Sequence, residues 1–305
     1  MQAVNRLFRP LFFLILFCFI LFSCRQKGAE EIIPETTFST HKPDSLLAEE
    51  ATEKHEIFYG LLTPVEISSI FSRLETAYNT DILNPPASAE NYMSASKAAL
   101  NLGIYGVDMS YLKLYNMNSE MISYMIAVRR LSNRLNIPTE YLTEPLGRVE
   151  NNMSDTDSVL ALLNDAYKKI EDHLEESGRE STAGLMVLGG WIEALYLSTE
   201  LLLDPQMPDP EVVQRIAEQK YTLNTLLSFL KNYYDDPIVV YYTKKLKFLK
   251  KYFDSFDIYF KKGDLEIDSN KQVLRASGSD LTITTETLQD IKEYAEKMRE
   301  ETVSL

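Results

Sequence analysis

Helix-start signals recur at short intervals from residue 63 onward, and the residues behind each repeat their apolar positions every three or four places. That pattern confines the chain to a helical architecture. In "TPVEIS", Thr63 is placed to cap a helix, Pro64 suits its first position and Glu66 completes a capping box. Asp209-Pro210 and Asp236-Pro237 repeat the device. Behind them Val213, Ile216, Tyr221, Leu223, Leu227 and Leu230, then Val239, Tyr242, Leu246, Leu249 and Phe253, fall at helical spacing. The pattern predicts helices over 45–60, 64–78, 88–115, 118–136, 139–149, 156–177, 180–203, 210–233, 237–254 and 285–302. Connections as short as "NIPTEY" and "YYDDP" favour antiparallel neighbours. Residues 256–283 break the rhythm with β-branched alternation, Lys262-Gly263-Asp264 and Ser277-Gly278-Ser279. The expected fold is therefore an all-α, multi-helix bundle of antiparallel helices with a small irregular or β-hairpin insert near 256–283. No fixed-period repeat supports a regular solenoid.

Two segments set acids into strongly apolar helices beside glycines. In "NLGIYGVDMSYLKLY", residues 101–115, a continuous helix would align Asn101, Tyr105, Asp108, Leu112 and Tyr115 on one stripe. In "GLMVLGGWIEALYL", residues 184–197, Met186, Gly189, Gly190, Glu193 and Leu197 share a side. Glycine costs about 1 kcal/mol in a helix interior, so these positions need a compensating reason. One reason is close approach of two helix backbones, Gly189, Gly190 and Ala194 against Gly103 and Gly106, with Asp108 and Glu193 held by Tyr, Asn, Lys97 or an Arg. The other is a cleft lined by Tyr105, Asp108, Tyr111, Trp191, Glu193 and Tyr196. Such a cleft would suit a sugar, a peptide or an ammonium group, and paired carboxylates admit glycoside hydrolysis.

The N-terminus carries a separate signal. Leu11 to Phe22 is an unbroken run of twelve apolar residues, flanked by Arg6 and Arg9 before and Arg25 and Lys27 after. A membrane-spanning helix needs about 20 such residues, whereas a basic leader with a 7–15-residue apolar core describes a cleaved secretory signal. The residues Leu21-Phe22-Ser23-Cys24 resemble the bacterial lipobox, with a bulky Phe22 where a small residue is usual. The resemblance implies cleavage before Cys24, thioether lipidation of its sulfur and acylation of the new amino group with palmitate-type chains. Residues 1–23 are then a signal peptide, 24–43 a flexible tether mixing charge, Thr and Pro, and 44–305 a single helical domain. Arg25 after the cysteine favours outer-membrane placement, with the periplasmic face expected.

"TPVEIS", "LNLGIYGVDMSYL", "NNMSDTDSVL" and "GGWIEALYL", in this order behind a lipobox, resemble an uncharacterised group of helical lipoproteins from the Bacteroidota across residues 60–255. The resemblance implies lipidation and supplies no activity, so no catalytic residue comes from it.

Charge and residue types narrow the chemistry. The chain has a net charge of −14, and loss of residues 1–23 removes Arg6 and Arg9 but no acid, taking it to −16. That balance argues against nucleic acid as a partner. Cys18 leaves with the leader and Cys24 takes the lipid, so neither a disulfide nor a thiol nucleophile is expected. His41, His55 and His173 form no metal-binding spacing and read as surface residues, so no metal or cofactor is expected. No GxSxG is present, and "GIYG" and "LGG" lack the strand that a phosphate loop requires. "TKKLKFLKK", residues 243–251, reads as a solvated lysine face more readily than as a docking stripe. The expected role is binding or scaffolding at the cell envelope. Its partners would be the membrane through Cys24 and an envelope protein or glycan. A glycan-active hydrolase using Asp108 and Glu193 is the alternative.

Overall fold

A computed structural model describes residues 77–304 apart from 153, 205–207, 261–264, 269–272 and 277–278. The leader, Cys24, the tether, the expected helix over 45–60 and all but the end of that over 64–78 lie outside the described residues. The rest is an all-α bundle. Among the described residues eight α-helices follow one another: α1 (Ala95–Leu114), α2 (Asn118–Arg134), α3 (Glu140–Asn151), α4 (Thr156–Glu176), α5 (Glu180–Leu201), α6 (Pro210–Leu230), α7 (Pro237–Phe253) and α8 (Thr285–Val303).

Local chemistry sets their ends. The side chains of Asp155, Asp209, Asp236 and Thr284 each accept a backbone N–H of the first turn they precede. Helix α1 begins later than its apolar pattern suggests. Pro85 and Pro86 open a separate 3₁₀ turn, Pro86–Glu90, and Ser94 then caps α1 by accepting from Lys97 N–H. Three helices stop by one device. Asn116, Asn136 and Gly178 take positive φ just beyond α1, α2 and α4. The following N–H groups of Met117, Ile137 and Arg179 reach back to the carbonyls of Leu112, Ser132 and Leu174 at 2.9, 2.9 and 2.8 Å. This is the paired closure that satisfies carbonyls left over at a helix end.

Helix α5 sits against α1, α4, α6, α7 and α8, with its widest contact on α1. Its composition allows this: residues from Ala183 to Gly189 are buried without a break, and Trp191, Ile192, Leu195 and Leu197 continue the core. A helix apolar on all sides belongs inside a bundle. Around it α4, α6, α7 and α8 are amphipathic, and α8 turns Leu288, Ile291, Ala295 and Met298 inward. Among the described residues no helix is long and apolar enough to cross a membrane.

The break in helical rhythm near 256–283 contains two short antiparallel strand pairs. β1 (Ile258–Phe260) pairs with β4 (Ser279–Leu281), with Ile258 opposite Leu281. Between them β2 (Leu265–Asp268) pairs with β3 (Val273–Ala276), with Ile267 opposite Leu274. The insert thus leaves α7 and returns to α8 as one strand pair nested in sequence within another.

Candidate functional site

The α1–α5 crossing is built on glycine. A Cβ at Gly103 would lie 2.0 Å from Met186 O and 2.7 Å from Gly190 N, and one at Gly189 would lie 1.9 Å from Leu100 O. No side chain fits either place, so the two backbones approach as they do only because hydrogen stands there. Gly106 has a different partner from the α5 glycines expected: it faces the ring of Tyr167 on α4, whose hydroxyl donates to Leu102 O at 2.8 Å.

One to two turns beyond these glycines, Asp108 of α1 and Glu193 of α5 meet, both with 0 % exposure. Arg299 of α8 reaches Glu193 with two hydrogen bonds, Nε to Oε2 at 3.0 Å and Nη2 to Oε1 at 3.3 Å. Its Nη2 also donates to Ile82 O at 3.1 Å, and its guanidinium lies 4.9 Å over the ring of Tyr196. Asp108 accepts the Asn84 backbone N–H on Oδ2 at 3.3 Å. Oδ1 of Asp108 has no hydrogen-bond partner among the described residues. Two buried carboxyl groups that feel each other's charge resist ionising together, so one of them keeps its proton.

Electrostatics identify which one. Burial pushes the Asp108 carboxyl well above the ordinary range, and the neighbouring Glu193 charge pushes the same way against the pull of Arg299. Burial also raises Glu193, but Arg299 opposes it through charge and hydrogen bonds. Burial works against the charge on Arg299, yet Glu193 outweighs that and raises its pKa. The self-consistent state is a neutral Asp108 beside an ionised Glu193 that is paired with Arg299. One cation balances one anion, and a second buried anion would have no counter-charge.

The other predicted residues do not complete a cleft. Tyr105 is buried and donates to Pro85 O at 2.8 Å. Tyr111 accepts Asn79 N–H at 3.0 Å, donates to Asn79 O at 3.3 Å and packs beside Tyr78 and Tyr115. Burial raises the pKa of both phenols. Trp191 is 1 % exposed and donates from Nε1 to Thr222 Oγ1 of α6 at 3.0 Å. Tyr196 joins the acids through Arg299, and burial pushes its hydroxyl up to about 12. Asp108, Glu193 and Tyr196 therefore gather around Arg299, while Tyr105, Tyr111 and Trp191 hold three other places in the core. His173, expected at the surface, is half-buried between the Tyr141 ring and Arg179.

The cluster extends through Asn101 to Asn84, Tyr92 and Thr302, which the sequence did not single out, while Lys97, expected to hold the acids, bonds Ser304 O instead. Asn84 donates from Nδ2 to Asn101 Oδ1 at 3.0 Å and accepts from Tyr92 OH at 3.0 Å. Asn101 donates to Thr302 O at 3.2 Å, Tyr92 to Val303 O at 3.1 Å, and Lys97 Nζ to Ser304 O at 2.6 Å. The last turn of α8 is thereby fastened to the start of α1 and to the loop before it. Among the described residues no three His, Cys, Asp or Glu side chains form a metal-binding group. Comparison with protein-family models, curated proteins and solved structures finds no match for the chain.

Proposed function

We propose that this chain is an outer-membrane lipoprotein held by acyl chains on Cys24, with a non-enzymatic helical body that binds or scaffolds at the periplasmic face of the envelope. The observation that carries the reading is the short apolar leader ending in Leu21-Phe22-Ser23-Cys24. A 7–15-residue apolar core behind basic residues is read by the secretion machinery, and several acyl chains, each contributing about 0.8 kcal/mol per buried methylene, hold a protein stably on a bilayer. Burial of the acid pair supports the non-enzymatic part. Hydrolysis of a glycosidic bond needs one carboxyl at the leaving oxygen and another at the sugar or at a water. Asp108 and Glu193 instead face each other, Asn84 and Arg299 at zero exposure. No observation favours the hydrolase as a second reading.

Cys24→Ser should abolish labelling by a radioactive or clickable fatty acid and leave the leader uncleaved, as read by intact mass. Unchanged mass and unchanged membrane attachment of that variant would overturn the anchor.

A further inference from the structure

The face of α7 is charged against the rest of the molecule. Pro237–Phe253 contains five lysines and no acid, in a chain whose net charge is −14. Tyr241, Lys244, Phe248 and Lys251 recur three and four residues apart, and all four are exposed; Lys247 and Tyr234 flank them. Phe248 is 44 % exposed, high for a phenylalanine beside a continuous core. The lysines do not hide these rings. Lys247 lies 5.7 Å from the Tyr234 ring and Lys251 lies 5.0 Å from the Phe248 ring, so cation and aromatic surface reach solvent together. Lys245 and Lys250 are taken by Glu301 and Asp254 at 2.6 Å each. Lys244, Lys247 and Lys251 have no carboxylate partner among the described residues.

We propose that this face of α7 rests on the anionic headgroups of the membrane to which Cys24 tethers the chain, an inference that depends on the lipoprotein reading above. Charge complementarity selects this occupant. An acidic body is repelled by an anionic bilayer on the whole, and a basic strip reverses that repulsion locally. Lysines near such a surface are attracted within a Debye length, and Tyr and Phe beside them suit the headgroup level. The strip from Tyr241 to Lys251 runs about 15 Å along one helix face at 1.5 Å per residue, a line of contacts that fits a plane.

The test uses the mature acylated protein reconstituted into vesicles of phosphatidylcholine alone or with phosphatidylglycerol added. Lysine acylation is read site by site by mass spectrometry. Labelling of Lys244, Lys247 and Lys251 should fall several-fold when phosphatidylglycerol is present and recover at high salt, while exposed Lys168 on α4 stays unchanged. Protein that floats with both vesicle types while these lysines label equally would overturn the α7 contact and leave the anchor standing. Protein that fails to float at all would overturn the anchor and the inference with it. Protection by a soluble anionic polysaccharide over phosphatidylcholine vesicles, matching that by phosphatidylglycerol, would assign the strip to glycan and overturn the lipid contact.

Discussion

Helices α5 and α7 handle charge in opposite ways. α5 buries Glu193 completely beside glycines that admit another backbone, and its charge is met by Arg299 from a helix 106 residues further along the chain. α7 buries none of its five lysines and holds the core with Val239, Tyr242, Leu246, Leu249 and Phe253, joined by the uncharged Thr243. The contrast teaches where an ionic group is structural. A charge sealed in the core is satisfied by specific partners, and its loss leaves another charge stranded. A charge on a solvated face contributes little to stability and is available for contact.

Removing one partner of the sealed pair should have the largest effect. Arg299→Met leaves Glu193 buried without its cation and is expected to cost about 3–5 kcal/mol in urea unfolding. A loss comparable to a surface substitution would break the contrast. Next comes the glycine crossing. Gly189→Ala places a methyl group 1.9 Å from Leu100 O, where backbone must yield, and is expected to cost roughly 1–3 kcal/mol. Gly147→Ala on α3 meets nothing within 4 Å and should instead stabilise by up to about 1 kcal/mol, so the pair separates close approach from helix propensity. The smallest effect belongs to α7: Lys244→Ala, Lys247→Ala and Lys251→Ala should each stay within about 0.5 kcal/mol of the parent.

Much of this fold was legible from local signals. Capping residues and apolar period placed α2 through α8 within a few residues of their observed ends, because those signals act over one or two turns. The late start of α1 was missed because Ala89 and Tyr92, apolar and three residues apart, extend the helical pattern backward across the break at Ser94. The Asn116 and Asn136 stops were readable in principle, since asparagine tolerates positive φ and Met117 and Ile137 supply the apolar residue that follows such a closure. The glycines and buried acids pointed to a close helix crossing. The identity of the cation did not follow, because Arg299 lies one step beside Met298 of the inward stripe and resembles any solvated arginine until α8 is docked. The expected cleft failed for the same reason: shared helical phase places residues on a face without saying what covers it.

The central structural claim is that Asp108 carries a proton so that one buried anion faces one buried cation. A carboxyl raised in the folded state is protonated there and ionised in the unfolded chain. Its contribution to stability is whole below the unfolded value of about 3.9 and declines as pH rises toward the folded value, by up to about 1.4 kcal/mol per pH unit. Asp108→Asn keeps the shape but cannot titrate. Urea unfolding of parent and variant from pH 5 to pH 8 tests this directly. The account predicts that the parent loses stability relative to Asp108→Asn as pH rises, and a difference that stays constant or grows in the parent's favour would contradict it.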